Sequence, residues 1–195
     1  MNTSNNDVKE FFDKLAPSWD NEQNTNEKFI LPLLNRLEIK QGDEVLDLAC
    51  GTGTITKSLF NITKKQITAV DISSKMIEIA KSKYNKDVAI FLPIDFYDYK
   101  GKKFDWIIIY NSYPHFLDVD KLKEKLVDIL KDKGRVAIIH SLSRKELDSH
   151  HKAHALKVSR FLKPVKEESA FYEDYFNVLI DEEDEKHYLI LLEKK

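Results

Sequence analysis

The sequence predicts a doubly wound α/β fold, in which a mostly parallel sheet is covered by helices on both faces. Short apolar runs rich in β-branched and aromatic residues alternate along the chain with segments of helical periodicity. This alternation is typical of βαβ units. All five glycines stand close to an end of one of these runs, where the chain has to turn. We expect the crossovers between the strands to be right-handed.

The middle of the chain supplies five strands and the helices between them. The strands are predicted at residues 44–49, 66–71, 88–92, 104–110 and 135–140. Apolar residues recur at helical spacing between them, at residues 55–60, 74–84 and 119–130. Because each strand is almost continuously apolar, both of its faces are expected to be covered.

Both ends of the chain depart from this alternation. Two helices are predicted before the first strand, at residues 7–15 and 25–37, and Pro32 is expected to bend or break the second. Two more are predicted after the fifth strand, at residues 144–162 and 165–175. Residues 176–180 and 188–192 are predicted as strands joined by an acidic turn, which indicates an antiparallel hairpin.

Length and composition indicate one core and exclude several classes of protein. The chain has 195 residues, 42% of them apolar and 33% charged, with a formal net charge of −2. A balance so close to neutral argues against broad nucleic-acid binding. The longest apolar run, at residues 106–110, is too short to cross a membrane. The start of the chain lacks the apolar stretch of a signal peptide, so we expect a cytoplasmic protein.

One stretch runs from the first predicted strand through a glycine turn into a helix. Gly51 and Gly53 allow a sharp bend and the close approach of a ligand, since neither has a Cβ. In open α/β sheets, ligands bind at this carboxyl end of the strands. Asp71 follows Gly51 by 20 residues and is placed to accept hydrogen bonds from both hydroxyls of a ribose. The alternative is an ordinary strand-to-helix loop, but an acid at this distance favours a nucleoside site.

Position 56 bears on the kind of nucleoside. A dinucleotide site would have a third glycine or an alanine near that position, for close helix packing and for the pyrophosphate. Thr56 stands there instead. This residue disfavours an NAD-dependent oxidoreductase, as does the lack of a set of residues for hydride transfer.

The sequence resembles the class I S-adenosylmethionine-dependent methyltransferases. Four stretches carry the resemblance: VLDLACGTG at 45–53, AVDIS at 69–73, PIDFYDY at 93–99 and FDWIIIYNSYPHF at 104–116. A fifth, FFDKLAPSWD at 11–20, is similar to the entrance segment of the small-molecule methyltransferases related to quinone biosynthesis. The resemblance implies a seven-stranded Rossmann-like sheet that ends in an antiparallel hairpin. It also implies that residues 1–40 form helices over the cofactor and that residues 41–195 form a single cofactor-binding domain.

The resemblance further implies which residues hold S-adenosylmethionine. Asp71 would bind the ribose hydroxyls and Asp95 the adenine amino group, with Phe96 beside the ring. Asp47 would support the glycine turn or the methionine amino group, and Met76 would touch the adenine. The full set is Trp19, Asp47, Ala49, Gly51, Thr52, Gly53, Asp71, Ile72, Met76, Asp95, Phe96 and Asn111.

Purely structural roles stand as alternatives for four members of this set. Asp47 would then cap the turn, and Asp95 would cap the end of a strand. Met76 would be a core residue, and Trp19 would pack without covering the cofactor.

The expected chemistry needs few catalytic side chains. Methyl transfer is an in-line displacement that gains most from holding the acceptor close and excluding water. A general base is needed only when the acceptor must lose a proton. The candidate residues are Tyr113 and His115 after the fourth strand, His140 at the end of the fifth, and Arg144 after it. His140 is expected to face the crevice as a base, and Arg144 to pair with an anionic group of the acceptor.

Histidines concentrate after the fifth strand. Four of the six lie between residues 140 and 154, in a basic stretch: His140, His150, His151 and His154. Three interpretations stay open. The first is a solvated basic helix, and the second is the wall of an acceptor pocket, with His140 as base and His151 or His154 in the wall. The third is a metal held by His150 and His154, with His140 as a further ligand. No clear carboxylate ligand accompanies that pair, and the single cysteine, Cys50, excludes a cysteine zinc cluster, so no metal is predicted.

The sequence therefore predicts a methyltransferase, monomeric or homodimeric, that acts on a small molecule with an anionic or metal-binding group. The residues at 111–114 are NSYP and differ from the Asn-Pro-Pro-Tyr type, which disfavours adenine or glutamine as the acceptor. Neither a nucleic-acid partner nor a membrane partner is expected. The alternatives are an NAD-dependent oxidoreductase and a non-catalytic nucleoside-binding protein of the same fold.

Overall fold

The chain divides into two compact units, residues 1–100 and residues 101–195. The computed structural model describes residues 4–22, 27–155 and 157–195, with the backbone alone for residues 22, 27–29 and 150–154.

The described residues of the first unit form five helices and three strands. The elements are α1 (Asn5–Leu15), α2 (Trp19–Glu22), α3 (Glu27–Arg36), β1 (Val45–Leu48), α4 (Thr56–Thr63), β2 (Ile67–Asp71), α5 (Ser74–Lys83) and β3 (Ala89–Pro93). A short 3-10 turn, Phe96–Asp98, follows β3.

The described residues of the second unit form four strands and three helices. The elements are β4 (Phe104–Tyr110), α6 (Val119–Ile129), β5 (Leu130–His140), α7 (Arg144–His154), α8 (Val165–Ser169), β6 (Phe176–Glu183) and β7 (Tyr188–Lys194). Two 3-10 turns, Tyr113–His115 and Ala170–Tyr172, lie between them.

The seven strands follow the order β3-β2-β1-β4-β5-β7-β6 in one sheet. In the first unit, β1 pairs parallel to β2, and β2 pairs parallel to β3. In the second unit, β4 and β5 are parallel, whereas β7 is antiparallel to both β5 and β6. This arrangement confirms the predicted α/β class and the antiparallel hairpin at the carboxyl end.

The burial of the strands explains why their sequences are almost continuously apolar. Every residue of β1 and β2 is buried, including the polar Asp47 and Thr68. Burying one large aliphatic side chain stabilises a fold by about 1.5–3 kcal/mol, so such strands supply much of the core. The carboxyl ends of β1 and β2, where the glycine turn and Asp71 lie, are fixed by this packing.

The helix predicted at residues 144–162 is shorter in the structure, because α7 ends at His154. Later backbone groups pair with another loop instead of with their own helix. The backbone N–H of Arg160 donates to the carbonyl of Pro114 at 3.0 Å. The carbonyl of Val158 lies 2.9 Å from Nδ1 of His115. Residues 158 and 160 thus contact the loop after β4 instead of continuing the predicted helix.

Pro32 lies inside α3 and does not end the helix. Ile30, Leu33, Leu34 and Leu37 are buried at helical spacing around it. This apolar face offsets the missing N–H of the proline, so the predicted early break is wrong.

The helix predicted at residues 165–175 is also shorter than predicted, because α8 ends at Ser169 and a 3-10 turn follows. Among the described residues, no helix is long and apolar enough to cross a bilayer.

Candidate functional site

The turn after β1 contains three residues with left-handed backbone. Ala49, Gly51 and Gly53 have φ angles of 55°, 55° and 84°. A Cβ on Gly53 would lie 2.9 Å from Cε2 of Tyr84, so the ring would have to move before a side chain could be accepted. At Gly51 and Gly53 the turn therefore presents backbone without side chains, as the close approach of a ligand requires.

Asp71 ties the end of β2 to this turn. Its Oδ2 accepts a hydrogen bond from the backbone N–H of Gly51 at 2.8 Å, and its Oδ1 accepts one from the N–H of Ser73 at 2.8 Å. The side chain is 7% exposed, and this burial raises the pKa of the Asp71 carboxyl to about 6. Because each carboxylate oxygen has two lone pairs, Asp71 can still accept hydrogen bonds from two neighbouring hydroxyls.

Asp47 is buried within β1 and links this strand to the first residue of α4, after the turn. Its Oδ2 accepts a hydrogen bond from Oγ1 of Thr56 at 2.5 Å. Burial, with a smaller contribution from the charge of Asp71, raises the pKa of the Asp47 carboxyl to about 7. Thr56, the residue that disfavours a dinucleotide site, thus anchors a buried carboxylate to α4. A contact of Asp47 with the methionine part of the cofactor stays a prediction.

The residues expected around the adenine follow β2 and β3. Met76 and Phe96 are buried, and Ile72 is half-buried. Asp95 caps the 3-10 turn after β3, where its Oδ1 accepts a hydrogen bond from the N–H of Tyr97 at 3.0 Å. Its Oδ2 accepts a hydrogen bond from Nδ2 of Asn5 at 2.6 Å. Asp95 is therefore both a cap and a link to the start of the chain.

Residues 4–22, here called the entrance segment, lie against the same motifs. Thr52 is buried in the glycine turn, and its Oγ1 donates a hydrogen bond to Oδ1 of Asp20 at 2.6 Å. Nε1 of Trp19 lies 3.7 Å from the position that a Cβ on Gly51 would occupy. The indole thus lies next to Gly51, and the role of Trp19 in covering the cofactor stays a prediction.

The side chains that anchor the entrance segment are not evident from the sequence alone. They are Asn5, Asp13 and Asp20. Asp13 accepts hydrogen bonds from Oγ of Ser73 at 2.6 Å and from the N–H of Lys75 at 3.1 Å. The one available signal is their spacing of eight and seven residues, about two helical turns each.

In the second unit, Asn111 follows β4 with a left-handed φ of 52°. Its Nδ2 donates a hydrogen bond to Oγ of Ser141 at 2.9 Å, and its Oδ1 accepts one from the N–H of Ser141 at 2.8 Å. The Asn111 amide therefore joins the carboxyl ends of β4 and β5. Its contact with the cofactor stays a prediction.

Tyr113 belongs to a buried polar cluster of the second unit. Its hydroxyl donates a hydrogen bond to Oε1 of Glu168 at 2.8 Å and lies 2.9 Å from the hydroxyl of Tyr172. Arg160 pairs with the same carboxylate at 2.7 Å, and its guanidinium lies 4.5 Å from the centre of the Tyr113 ring. Burial raises the pKa of the Tyr113 phenol well above its usual value, so the hydroxyl stays protonated. This environment suits a donor within the core and not a base.

His115 is held by the segment that follows α7. Its Nδ1 lies 2.9 Å from the carbonyl oxygen of Val158 and 3.1 Å from Oγ of Ser159. Since a carbonyl oxygen can only accept, the neutral ring carries its proton on Nδ1 and its lone pair on Nε2. These contacts set the tautomer and the orientation of the His115 ring, and its catalytic role stays a prediction.

His140 and Arg144 both have contacts within the protein. The His140 side chain is completely buried, and its ring meets that of Tyr188 edge to face at 6.1 Å. The ring was expected to face a crevice, but in the structure it is not exposed to solvent. Arg144 pairs through Nε with Oε2 of Glu183 at 3.1 Å. The catalytic roles of His140 and Arg144 stay predictions.

The predicted alternatives for the histidine cluster fall largely outside the described residues. The side chains of His150, His151 and His154 are not described, although their backbone lies in α7. Among the side chains that are described, no group of three histidine, cysteine or acidic residues is placed to hold a metal ion.

The model of a family described as a methyltransferase domain matches residues 46–138. The matched region begins in β1 and ends in β5. It therefore contains the glycine turn, Asp71, Asp95 and Asn111.

Related proteins and solved structures agree with this match. The malonyl-acyl-carrier-protein O-methyltransferase of Acetivibrio thermocellus is 32% identical over 130 residues, or 65% of this chain and 46% of that protein. The magnesium protoporphyrin IX methyltransferase of Synechocystis, with bound S-adenosylhomocysteine, has a TM-score of 0.73 at 15% identity, covering 98% of this chain and 100% of that one. A chain of the complex between the Haloferax volcanii Trm112 methyltransferase activator and its methyltransferase has a TM-score of 0.77 at 18% identity, covering 94% and 97%.

The solved structures, at 15% and 18% identity, show the fold alone. The chain spans about half the length of the curated relatives it matches.

Proposed function

The chain belongs to the class I S-adenosylmethionine-dependent methyltransferases, and from this premise we propose that it transfers the methyl group of S-adenosylmethionine to a small molecule. S-adenosylmethionine is the cofactor of the family. The acceptor, the mechanism and the roles of individual residues are part of the proposal.

One observation carries the proposal, namely the position of Asp71 against the glycine turn. The backbone N–H of Gly51 donates to Oδ2 of Asp71, so the acid at the end of β2 lies beside the side-chain-free backbone of the turn. A ribose placed over this backbone would meet a carboxylate with lone pairs left for both hydroxyls. These residues therefore fit the nucleoside part of S-adenosylmethionine.

The bound cofactor supplies an electrophilic methyl group on a sulfonium, and the protein has to exclude water from it. The entrance segment supports this role, because Trp19 lies next to Gly51 and Asp20 is bonded to Thr52. Excluding water strengthens electrostatic contacts and favours the displacement over side reactions. We propose that residues 1–40 act in this way, with the described contacts of residues 4–22 as the support.

Within the second unit, His115 is the residue that we propose as a base, where the acceptor has to lose a proton. The carbonyl of Val158 sets its tautomer, with the lone pair on Nε2. His140 is the second candidate, although its burial against Tyr188 means that the ring would first have to be uncovered. The anionic or metal-binding group of the acceptor, the cytoplasmic location and the oligomeric state stay predictions.

An assay of methyl transfer from S-adenosylmethionine tests the proposal. Wild-type protein is incubated with S-adenosylmethionine and a panel of small carboxylic acids, phenols, amines and thiols, and formation of S-adenosylhomocysteine is measured. We expect at least one acceptor to be methylated. A protein that binds S-adenosylhomocysteine but methylates none of them would be a non-catalytic nucleoside-binding protein, and the proposal would be wrong.

The proposed base has its own test once an acceptor is known. His115→Ala and His140→Ala are compared for turnover and for the affinity of S-adenosylhomocysteine. For an acceptor that loses a proton, His115→Ala should lower turnover by about 100-fold or more and leave affinity unchanged. A normal rate in His115→Ala together with a low rate in His140→Ala would assign the base to His140.

A further inference from the structure

The entrance segment contacts the cofactor motifs through three short polar side chains. Asn5 donates to Asp95 at 2.6 Å, Asp13 accepts from Ser73 at 2.6 Å, and Asp20 accepts from Thr52 at 2.6 Å. Each contact thus reaches a different motif, after β3, β2 and β1 respectively. The three contacts are not equivalent with respect to a bound nucleoside.

Two of the contacts can persist when the cofactor is present. Asp13 also accepts a hydrogen bond from the N–H of Lys75, at the start of α5. Asp20 also pairs with Nζ of Lys83 at 2.7 Å, at the end of the same helix. Asp13 and Asp20 therefore hold the entrance segment to α5 as well as to Ser73 and Thr52.

The contact of Asn5 is different, because it uses the carboxylate assigned to the adenine. Oδ1 of Asp95 already accepts a hydrogen bond from the N–H of Tyr97. Oδ2 accepts a hydrogen bond from Nδ2 of Asn5 at 2.6 Å, so the adenine amino group would approach an oxygen on which the Asn5 amide already lies. The exocyclic amino group of adenine and the side-chain amide of asparagine are both planar NH₂ donors. Asn5 therefore offers Asp95 the kind of hydrogen bond that adenine would offer.

We infer that Asn5 is a built-in competitor for the adenine position, holding Oδ2 of Asp95 until the cofactor displaces it. This inference rests on the proposed function, since it takes Asp95 as the residue that binds the adenine. The first turn of α1 has to release Asp95 when the nucleoside enters, while Asp13 and Asp20 keep the rest of the entrance segment in place. Asn5 thereby lowers the affinity for the cofactor and makes its binding depend on a movement of the first turn.

The local structure allows Asn5 to be changed without loss of the helix. Ser4 and Asp7 cap α1, because the Ser4 side chain accepts from the N–H of Asp7 and the Asp7 carboxylate accepts from the N–H of Ser4. Asn5 takes no part in this capping box, and alanine is a good helix former. Asn6 offers a matched control, since its amide donates to Glu10 of the same helix at 2.9 Å.

The test is a double-mutant cycle on the affinity of S-adenosylhomocysteine, measured by calorimetry at constant pH and salt. Asn5→Ala should bind about three- to tenfold more tightly than wild type, because the free protein no longer has a hydrogen bond to break. Asn6→Ala should bind as wild type does. In the Asp95→Ala background, the further change Asn5→Ala should have no effect.

The outcomes separate the inference from the proposed function. If wild type does not bind S-adenosylhomocysteine, the proposed function itself is wrong. If wild type binds but Asn5→Ala is unchanged or weaker, or if its gain persists in the Asp95→Ala background, the inference alone is overturned. The side-chain amide signal of Asn5 in a nuclear magnetic resonance spectrum, identified by its loss in Asn5→Ala, adds a direct readout. The ligand should shift it towards the position of a water-exposed amide, and an unmoved signal would refute the displacement.

Discussion

The buried carboxyl of Asp47 should make the stability of the protein fall as the pH rises, and Asp47→Asn should remove that dependence. Burial raises the pKa of Asp47 from 3.8 to about 7. Below pH 4 the carboxyl is protonated in both the folded and the unfolded chain, so it adds no dependence. Between pH 4 and 7 it ionises only in the unfolded chain, which favours unfolding progressively.

The size of the effect follows from the two pKa values. A change from 3.8 to about 7 corresponds to about 4 kcal/mol between the protonation states, of which about 3 kcal/mol falls between pH 5 and 8. The side chain is 1% exposed, so solvent screening reduces this value little. Asparagine keeps an acceptor oxygen for the Thr56 hydroxyl but cannot ionise.

The assay is urea unfolding at pH 5, 6, 7 and 8. The free energy of unfolding of Asp47→Asn should rise relative to wild type by about 3 kcal/mol across this range. Asp132→Asn, which changes an exposed carboxylate on β5, controls for the loss of a charge alone and should follow wild type. If the free energies of unfolding of Asp47→Asn and wild type change in parallel with pH, the carboxyl ionises normally in the folded protein, and the reasoning is wrong.

Three further substitutions, two in the first unit and one in the second, test local packing by thermal or urea unfolding. Gly53→Ala should destabilise the protein by about 2–4 kcal/mol, since its φ is 84° and its Cβ would lie 2.9 Å from Tyr84. Gly42→Ala, at a φ of 91° with nothing within 4 Å of its Cβ, should lose only about 1–2 kcal/mol, and equal losses would refute the packing argument. Tyr113→Phe should destabilise by about 1–3 kcal/mol, because the buried Glu168 loses a hydrogen bond, and an unchanged stability would show that the bond contributes nothing.

The sequence predicted the parts of the fold that depend on local pattern. The apolar runs of β1 and β2 predicted strands that are buried throughout, and the structure buries every residue of both. The interval between Gly51 and Asp71 predicted a nucleoside site at the ends of β1 and β2, and the structure places the acid beside the turn, with a hydrogen bond of 2.8 Å between them. Such features are readable because strand burial and a βαβ turn follow from residue type and spacing.

The parts that depend on distant contacts could not be predicted in the same way. The helix α7 ends at His154, and Val158 and Arg160 pair with the loop at 114–116, a contact that no local pattern reveals. The burial of His140 depends on its neighbour across the strands, Tyr188. The link between Asn5 and Asp95 joins residues 90 positions apart. Each of these contacts is a property of the folded chain and leaves no periodic signal in the sequence.

The central claim is that the turn at Gly51 and the carboxylate of Asp71 hold the ribose of S-adenosylmethionine. The most direct measurement is a calorimetric titration of wild type, Asp71→Ala and the exposed control Asp87→Ala with S-adenosylhomocysteine, and of wild type with NAD. We expect wild type and Asp87→Ala to bind S-adenosylhomocysteine equally and wild type not to bind NAD. Asp71→Ala, if still folded by circular dichroism, should bind at least about tenfold more weakly, since hydrogen bonds to a charged group contribute about 1.5–3 kcal/mol each. Wild-type affinity in a folded Asp71→Ala protein, or binding of NAD in preference to S-adenosylhomocysteine, would contradict the claim.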